Sequence, residues 1–223
     1  MNPLGIFPSL ARVVRGLSAL FWGLPLMLLC DARSAMDDSV TEYGWMPVVA
    51  ASVLVAYGLH QLRHFQSQER IWTASLDRAR LLSLLLVALS PFTYWWNRRP
   101  NEPFFAQSMV LLVFAGFAFL IALNHVLLRL SAMLPDETLR AETGFFTGIN
   151  QTLIVLQAGL TAGEMLLVRW ADAPPAIARL RDAFEASKSW LVLLLTLLPV
   201  ALTMTLLWKT KEVIIASVFR PPP

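Results

Sequence analysis

Six long apolar stretches constrain the fold of this 223-residue chain more than any other feature. A helix needs about 20 mostly apolar residues to cross a hydrocarbon layer of about 30 Å, whereas a barrel strand needs about 10 residues of alternating polarity. Because backbone polar groups in lipid must bond within their own segment, these stretches predict transmembrane helices. The predicted fold is an all-α, polytopic bundle of about six spans. The spans are expected at about 13–30, 44–63, 80–97, 104–130, 148–170 and 189–208.

Composition agrees with a membrane domain and argues against other classes. Hydrophobic residues make up 57% of the chain and charged residues 15%, whereas roughly a quarter of a soluble domain is charged. The apolar stretches follow one another closely, so we expect a single membrane domain over 1–223 that contacts the lipid bilayer. The basic residues are scattered and the net charge is +3, so no nucleic-acid partner is expected. The single Cys30 excludes an intrachain disulfide, and no cofactor is expected.

Two of the connections are amphipathic. In 64–80, Phe65, Trp72 and Leu76 share one helical face, and 174–189 also has apolar residues at helical spacing. Both segments are predicted to form short helices on the membrane surface. Pro135 followed by two acids predicts a helix start in the loop before the fifth span.

The distribution of Lys and Arg predicts the orientation. If the N-terminus is cytoplasmic, eleven of the 18 basic residues lie on the cytoplasmic side and seven on the other. Both termini are therefore expected in the cytoplasm of a multi-pass protein of the cell membrane, the inner membrane if the source is bacterial. Arg12 and Arg15 precede the first stretch as in a signal peptide, but no convincing cleavage site follows, so a retained helix is expected.

Glu164 is the most informative single residue. It falls roughly 9 Å inside the predicted outer end of the fifth span, where an acid is costly and usually faces a bundle interior or a watery cavity. It could bind a cation, relay a proton or pair with a substrate amine. Alternatively, it pairs with a neighbouring basic residue or accepts a hydrogen bond. Gln157 precedes it by seven residues, about two turns, so both could line one face.

A second polar group is predicted near the cytoplasmic side. Asn124 and His125 lie on the fourth span, and Asn150 and Gln151 lie at the start of the fifth. A short connection makes these spans antiparallel neighbours, so the four residues share one depth. They would form cross-helix hydrogen bonds, or alternatively a site for a solute or ion.

Two further patterns are nonspecific. Gly159 and Gly163 form a GxxxG pattern that favours close helix packing, either within the chain or between subunits. His60 and His125 have comparable depths and could ligate a haem iron, although no supporting pattern accompanies them. No metal site is expected otherwise.

The sequence leaves three functional hypotheses open. Short loops and missing catalytic motifs favour a non-catalytic subunit or scaffold of a larger membrane complex, with other membrane subunits or further copies as partners. Glu164 and the polar group favour a small-solute or ion transporter, as does a faint inverted repeat of three spans per half. The histidines favour an intramembrane enzyme or a haem-bearing electron carrier.

Overall fold

The computed structural model describes residues 3–36, 43–66, 68–99, 101–169 and 175–219. Within these residues the chain is all α-helical, as predicted, and it forms a bundle of seven helical segments. The segments are α1 (Pro3–Met36), α2 (Met46–Leu62), α3 (Arg70–Leu89), α4 (Pro91–Arg98), α5 (Pro103–Ala132), α6 (Glu137–Arg169) and α7 (Pro175–Phe219).

Four helical stretches are long and apolar enough to cross a membrane, which indicates a membrane protein. They are Ser9–Ser34, Arg70–Arg98, Pro103–Ala132 and Leu193–Ser217. α2 is apolar but has only 17 residues, and α6 has 33 residues but is not among the four. That these two helices also cross the membrane stays a prediction.

The first predicted surface helix is absent as a separate element. α3 begins at Arg70 and continues to Leu89, and only Ser90 separates it from α4, so the surface helix at 64–80 and the span at 80–97 merge. Trp72 and Leu76 are fully buried in the protein core, and Trp72 Nε1 donates a hydrogen bond to the Phe65 carbonyl oxygen at 2.8 Å. The amphipathic pattern was recognised correctly, but its apolar face packs against protein rather than lipid.

The last two helices also differ from prediction. α7 is one helix through the expected boundary at 189, although the side chains of 175–192 lie outside the described ones. α6 runs without a break from Glu137 to Arg169, so the helix predicted to start after Pro135 and the fifth span form one helix. Its predicted start is confirmed, because Asp136 Oδ1 accepts hydrogen bonds from the Thr138 hydroxyl and the Leu139 N–H. These bonds lower the pKa of Asp136 from its ordinary value of 3.8.

α1 and α2 pack closely through glycines. A Cβ atom on Gly16 would lie 2.7 Å from the Gly58 carbonyl oxygen, and one on Gly58 would lie 2.9 Å from the Gly16 carbonyl oxygen. A Cβ on Gly23 would lie 2.8 Å from Val55 Cγ2. Contacts this short would require the helices to move apart, so the close approach depends on the missing side chains.

The polar site lies where three long helices meet. α5 packs against α6 and α7, and these two also pack against each other. α5 contributes apolar side chains to the core at this junction, including Leu123, Leu127 and Leu130, which are fully buried. The polar side chains below therefore lie inside the protein.

Candidate functional site

Asn124, Asn150 and Thr203 form a hydrogen-bonded cluster between α5, α6 and α7. All three are fully buried. Asn150 Nδ2 lies 2.8 Å from Thr203 Oγ1, 3.1 Å from the Pro199 carbonyl oxygen and 3.2 Å from Asn124 Oδ1. Asn124 Nδ2 donates to Thr203 Oγ1 at 3.1 Å and to the Leu120 carbonyl oxygen at 2.8 Å. The cluster links three helices through two amide groups and one hydroxyl.

The cluster also includes the backbone carbonyl of Pro199 on α7. A proline inside a helix removes one backbone hydrogen bond and disturbs the preceding turn. The Pro199 carbonyl oxygen accepts hydrogen bonds from Thr203 Oγ1 at 2.8 Å and from Asn150 Nδ2 on the neighbouring helix. These side-chain bonds add to the turn that follows the proline, whereas the backbone hydrogen bond that the proline removes is the one to the Leu195 carbonyl oxygen, one turn earlier.

The contact between α6 and α7 repeats every seven residues on both helices. One step from the Asn150–Thr203 pair, Gln157 Nε2 donates to Thr196 Oγ1 at 2.6 Å. Seven residues in the other direction on each helix are Thr143 and Thr210, and both are fully buried. We call this set of side chains the polar row. Its members are Thr143, Thr147, Asn150 and Gln157 on α6 and Thr196, Thr203 and Thr210 on α7.

One end of the polar row has unpartnered oxygen atoms. Thr143 Oγ1, Thr147 Oγ1, Thr210 Oγ1 and Asn150 Oδ1 are buried and have no hydrogen-bond partner among the described residues. Many other helical hydroxyls of this chain donate to a carbonyl oxygen three or four residues earlier, as Ser83 does at 2.8 Å and Ser52 at 2.9 Å. We call these four atoms the unpartnered end of the polar row.

An ion pair lies beside the unpartnered end. Lys209 Nζ is 2.6 Å from Glu142 Oε2, and the two side chains are 39% and 46% exposed. Lys209 Nζ also lies 6.0 Å from the centre of the Phe146 ring. Because Glu142 and Lys209 directly precede Thr143 and Thr210 in sequence, the pair lies at the same end of the bundle as these two buried threonines.

The predicted polar group is brought together in two parts. Asn124 and Asn150 belong to the buried cluster, whereas His125 is exposed and Gln151 half-buried. Gln151 Nε2 lies 3.1 Å from His125 Nε2, and His125 Nδ1 lies 3.0 Å from the Ile121 carbonyl oxygen. The second pair links α5 and α6 at their outer surface.

Glu164 and Gln157 share a face of α6, as their spacing predicts. Gln157 is 7% exposed and Glu164 is half-buried. Two turns separate them along the helix, so Glu164 continues the seven-residue step of the polar row. The same step on α7 leads to Ser189, whose side chain lies outside the described ones.

The two histidines of the haem hypothesis lie on helices that do not touch. His60 is on α2 and forms an edge-on ring contact with His64 at 6.0 Å, whereas His125 is on α5. α2 and α5, both fully described, make no contact with each other. Among the described residues, no group of three or more metal-ligating side chains was found.

The predicted packing glycines on α6 have no close neighbour among the described residues. A Cβ atom on Gly159 or Gly163 would meet nothing within 4 Å among the described residues, and the same holds for Gly144 and Gly148. At about 100° per residue, these four glycines lie within an arc of about 100°, on the side of α6 opposite the polar row. The packing glycines used inside the molecule are instead those of α1 and α2.

The sequence reading missed the threonines of the polar row. A signal was present, since hydroxyl residues recur at 196, 203 and 210, and polar residues at 143, 150, 157 and 164. It also missed a polar group between α1 and α4, where Asp31 Oδ1, Ser34 Oγ and Thr93 Oγ1 are buried. Comparisons found no matching family model, no matching curated protein and no matching solved structure.

Proposed function

We propose that this chain is a non-catalytic subunit of a larger membrane assembly, and that α6 contacts a helix of another subunit. The observation that carries the proposal is the row of open glycines on α6. From Gly144 to Gly163 this face extends for about 28 Å, nearly the thickness of the hydrocarbon layer. Small residues let membrane helices approach closely, and this chain already uses Gly16 and Gly58 in that way.

The pairing inside the polar row supports a structural role for it. The amide N–H groups of Asn124 and Asn150 are directed at acceptors on the protein itself. Hydrogen bonds between membrane helices typically contribute about 0.6 kcal/mol each, and one polar residue at the wrong depth loses its partners. The cluster therefore favours one register of α5, α6 and α7, as a scaffold subunit requires.

Copurification tests the proposal. The tagged chain is extracted in mild detergent after crosslinking in membranes, and the bound proteins are identified by mass spectrometry. Gly159→Val should reduce recovery of the partner, because the added side chain fills the open face. Gly116→Val is the matched control, because Gly116 on α5 is also open and lies on another helix. A monodisperse monomer that retains no other protein would contradict the proposal, whereas a dimer would identify the partner as a second copy.

A second candidate is a small-solute or ion transporter. It is favoured by the length of the polar row, since the seven-residue step from Thr143 to Glu164 covers about 31 Å of helix. In proteoliposomes, Glu164→Gln should abolish flux and leave the fold intact, with the exposed Glu212→Gln as the control. Unchanged uptake across a panel of inorganic cations and small amines would remove this candidate.

For either function we propose that both termini face the cytoplasm. The excess of basic residues on that side supports this orientation, and it places the Glu142–Lys209 pair at the cytoplasmic end of the bundle. A protease-cleavable tag on the C-terminus should be cut only after the membrane is permeabilised. Cleavage of intact cells or spheroplasts would reverse the orientation without affecting the fold.

A further inference from the structure

We infer that the unpartnered end of the polar row binds a short file of water molecules that enters beside the Glu142–Lys209 pair. The inference goes beyond the proposed subunit role and does not depend on it. Its basis is the four buried oxygen atoms of Thr143, Thr147, Asn150 and Thr210 that no described protein group satisfies. Buried polar atoms in folded proteins are almost always hydrogen-bonded, to protein or to ordered water.

The spacing of the four atoms fits several waters better than one ion. Thr143 and Asn150 are seven residues apart, about 10 Å along α6, which is the length of roughly three hydrogen-bonded waters. A metal ion would require oxygen ligands within about 2.3–2.6 Å and, in a buried site, a compensating charge. The four atoms belong to three hydroxyls and one amide, all neutral.

The hydrogen-bonding types also fit water. The hydroxyl of each threonine can donate and accept, whereas Asn150 Oδ1 can only accept. The amide N–H groups of Asn150 are already directed at Thr203, Pro199 and Asn124, so the free side of this residue requires a donor. Water is the smallest molecule that donates to the Asn150 oxygen and bonds in either sense to the threonines.

The file has one open end and one closed end. Thr143 and Thr210 directly follow Glu142 and Lys209, whose side chains are partly exposed. Beyond Asn150 the next residue on the same face of α6 is Ile154, which is fully buried and apolar. The proposed file is therefore a dead-ended cleft that hydrates the bundle from one side, not a pore through it.

Silver-ion accessibility tests this inference, because the chain has only one natural cysteine. In a Cys30→Ser background, single cysteines replace Thr143, Thr147 or Thr210, with Ile154→Cys and Val155→Cys as controls. Membranes are treated with Ag⁺, and the remaining free thiols are counted by alkylation after denaturation. Ag⁺ is small, travels in water and reacts with thiolate, which forms in water and not in hydrocarbon. Val155 is 61% exposed on the face of α6 that also carries the open glycines, away from the polar row, and Ile154 is buried.

The expected result is a graded reaction. Cysteines at 143, 147 and 210 should react at least about tenfold faster than those at 154 and 155, with 143 faster than 147. If all five positions react at one rate, or if 147 and 210 are as slow as 155, the file does not exist. If 147 reacts faster than 143, water enters elsewhere and the inference is wrong. Two of the three test positions lie on α6 and one lies on α7, so misfolding of one variant leaves the other helix as a test.

Discussion

Replacing Gly16 with valine tests the packing of α1 against α2. The first added atom, Cβ, would lie 2.7 Å from the Gly58 carbonyl oxygen, which is backbone and moves only if a helix moves. Overpacking a close interface typically costs about 1–3 kcal/mol. Valine adds three heavy atoms at this position and recovers only a few tenths of a kcal/mol of helix propensity relative to glycine. We expect a net loss of about 2 kcal/mol, or about 30-fold in the folding equilibrium.

Gly159→Val is the matched control for this prediction. Within the part of the chain that the structure describes, a Cβ atom at Gly159 would meet nothing within 4 Å, so the same chemical change should alter stability by no more than about 0.5 kcal/mol. Stability is measured in mixed micelles by titration with sodium dodecyl sulfate, followed by circular dichroism. The isolated chain should be used, so that loss of a partner does not contribute.

A double variant refines the same test. Gly58→Val alone should cost about as much as Gly16→Val, since each side chain would meet the other residue's carbonyl oxygen. The two changes together should cost less than their sum, because the first already separates the helices. Equal stability of the Gly16 and Gly159 variants, or strict additivity of the pair, would refute the argument from close approach.

Three further predictions address the polar residues. Asn150→Leu removes up to two interhelical hydrogen bonds and should lower stability by about 1 kcal/mol. Thr205→Val is the control and should change stability little, because the Thr205 hydroxyl is exposed and donates only to the Ala201 carbonyl oxygen of its own helix. Because the pKa of Asp136 is lowered in the fold from 3.8, its stabilising effect is complete above that pH and is lost as the pH falls below it. Asp136→Asn should therefore weaken the loss of stability between pH 5 and pH 2, and an unchanged profile would contradict this. Glu142→Gln should lower the free energy of unfolding by less than about 1 kcal/mol and reduce its salt dependence, because both side chains of the Glu142–Lys209 pair are more than a third exposed. A larger loss of stability would show that the pair is shielded from water.

The helices of the chain were predictable, but several of their ends were not. Apolar length and composition predicted α2 and α5 within two residues at each end, because crossing hydrocarbon imposes both properties, whereas α1 begins ten residues before and ends six residues after the predicted span at 13–30. The segment at 64–80 was misassigned because an amphipathic face carries the same signal whether it meets lipid or protein. Trp72 on α3 is buried because other parts of the protein cover it. The periodicity of the sequence identifies the apolar face but does not show whether protein or lipid covers it.

The candidate site was predicted in part for a related reason. Asn124 and Asn150 stand out because amide side chains are rare and costly inside apolar helices. Threonine is common in such helices, where its hydroxyl can bond to its own backbone. The recurrence of threonine at 196, 203 and 210 could therefore be interpreted as part of a site only once the register of α6 against α7 was known.

That this protein is a bundle of apolar helices follows from the sequence alone, because the hydrocarbon layer requires a certain length and hydrophobicity of each spanning helix. Which glycines pack against another helix, and which stay open, is visible only in the tertiary structure. Gly16 and Gly58 lie against each other where α1 crosses α2. Gly159 and Gly163 form the GxxxG pattern, yet among the described residues nothing lies close to them. A sequence motif is a property of one helix, whereas close packing requires a second helix beside it. Which helix lies there depends on how the whole bundle folds.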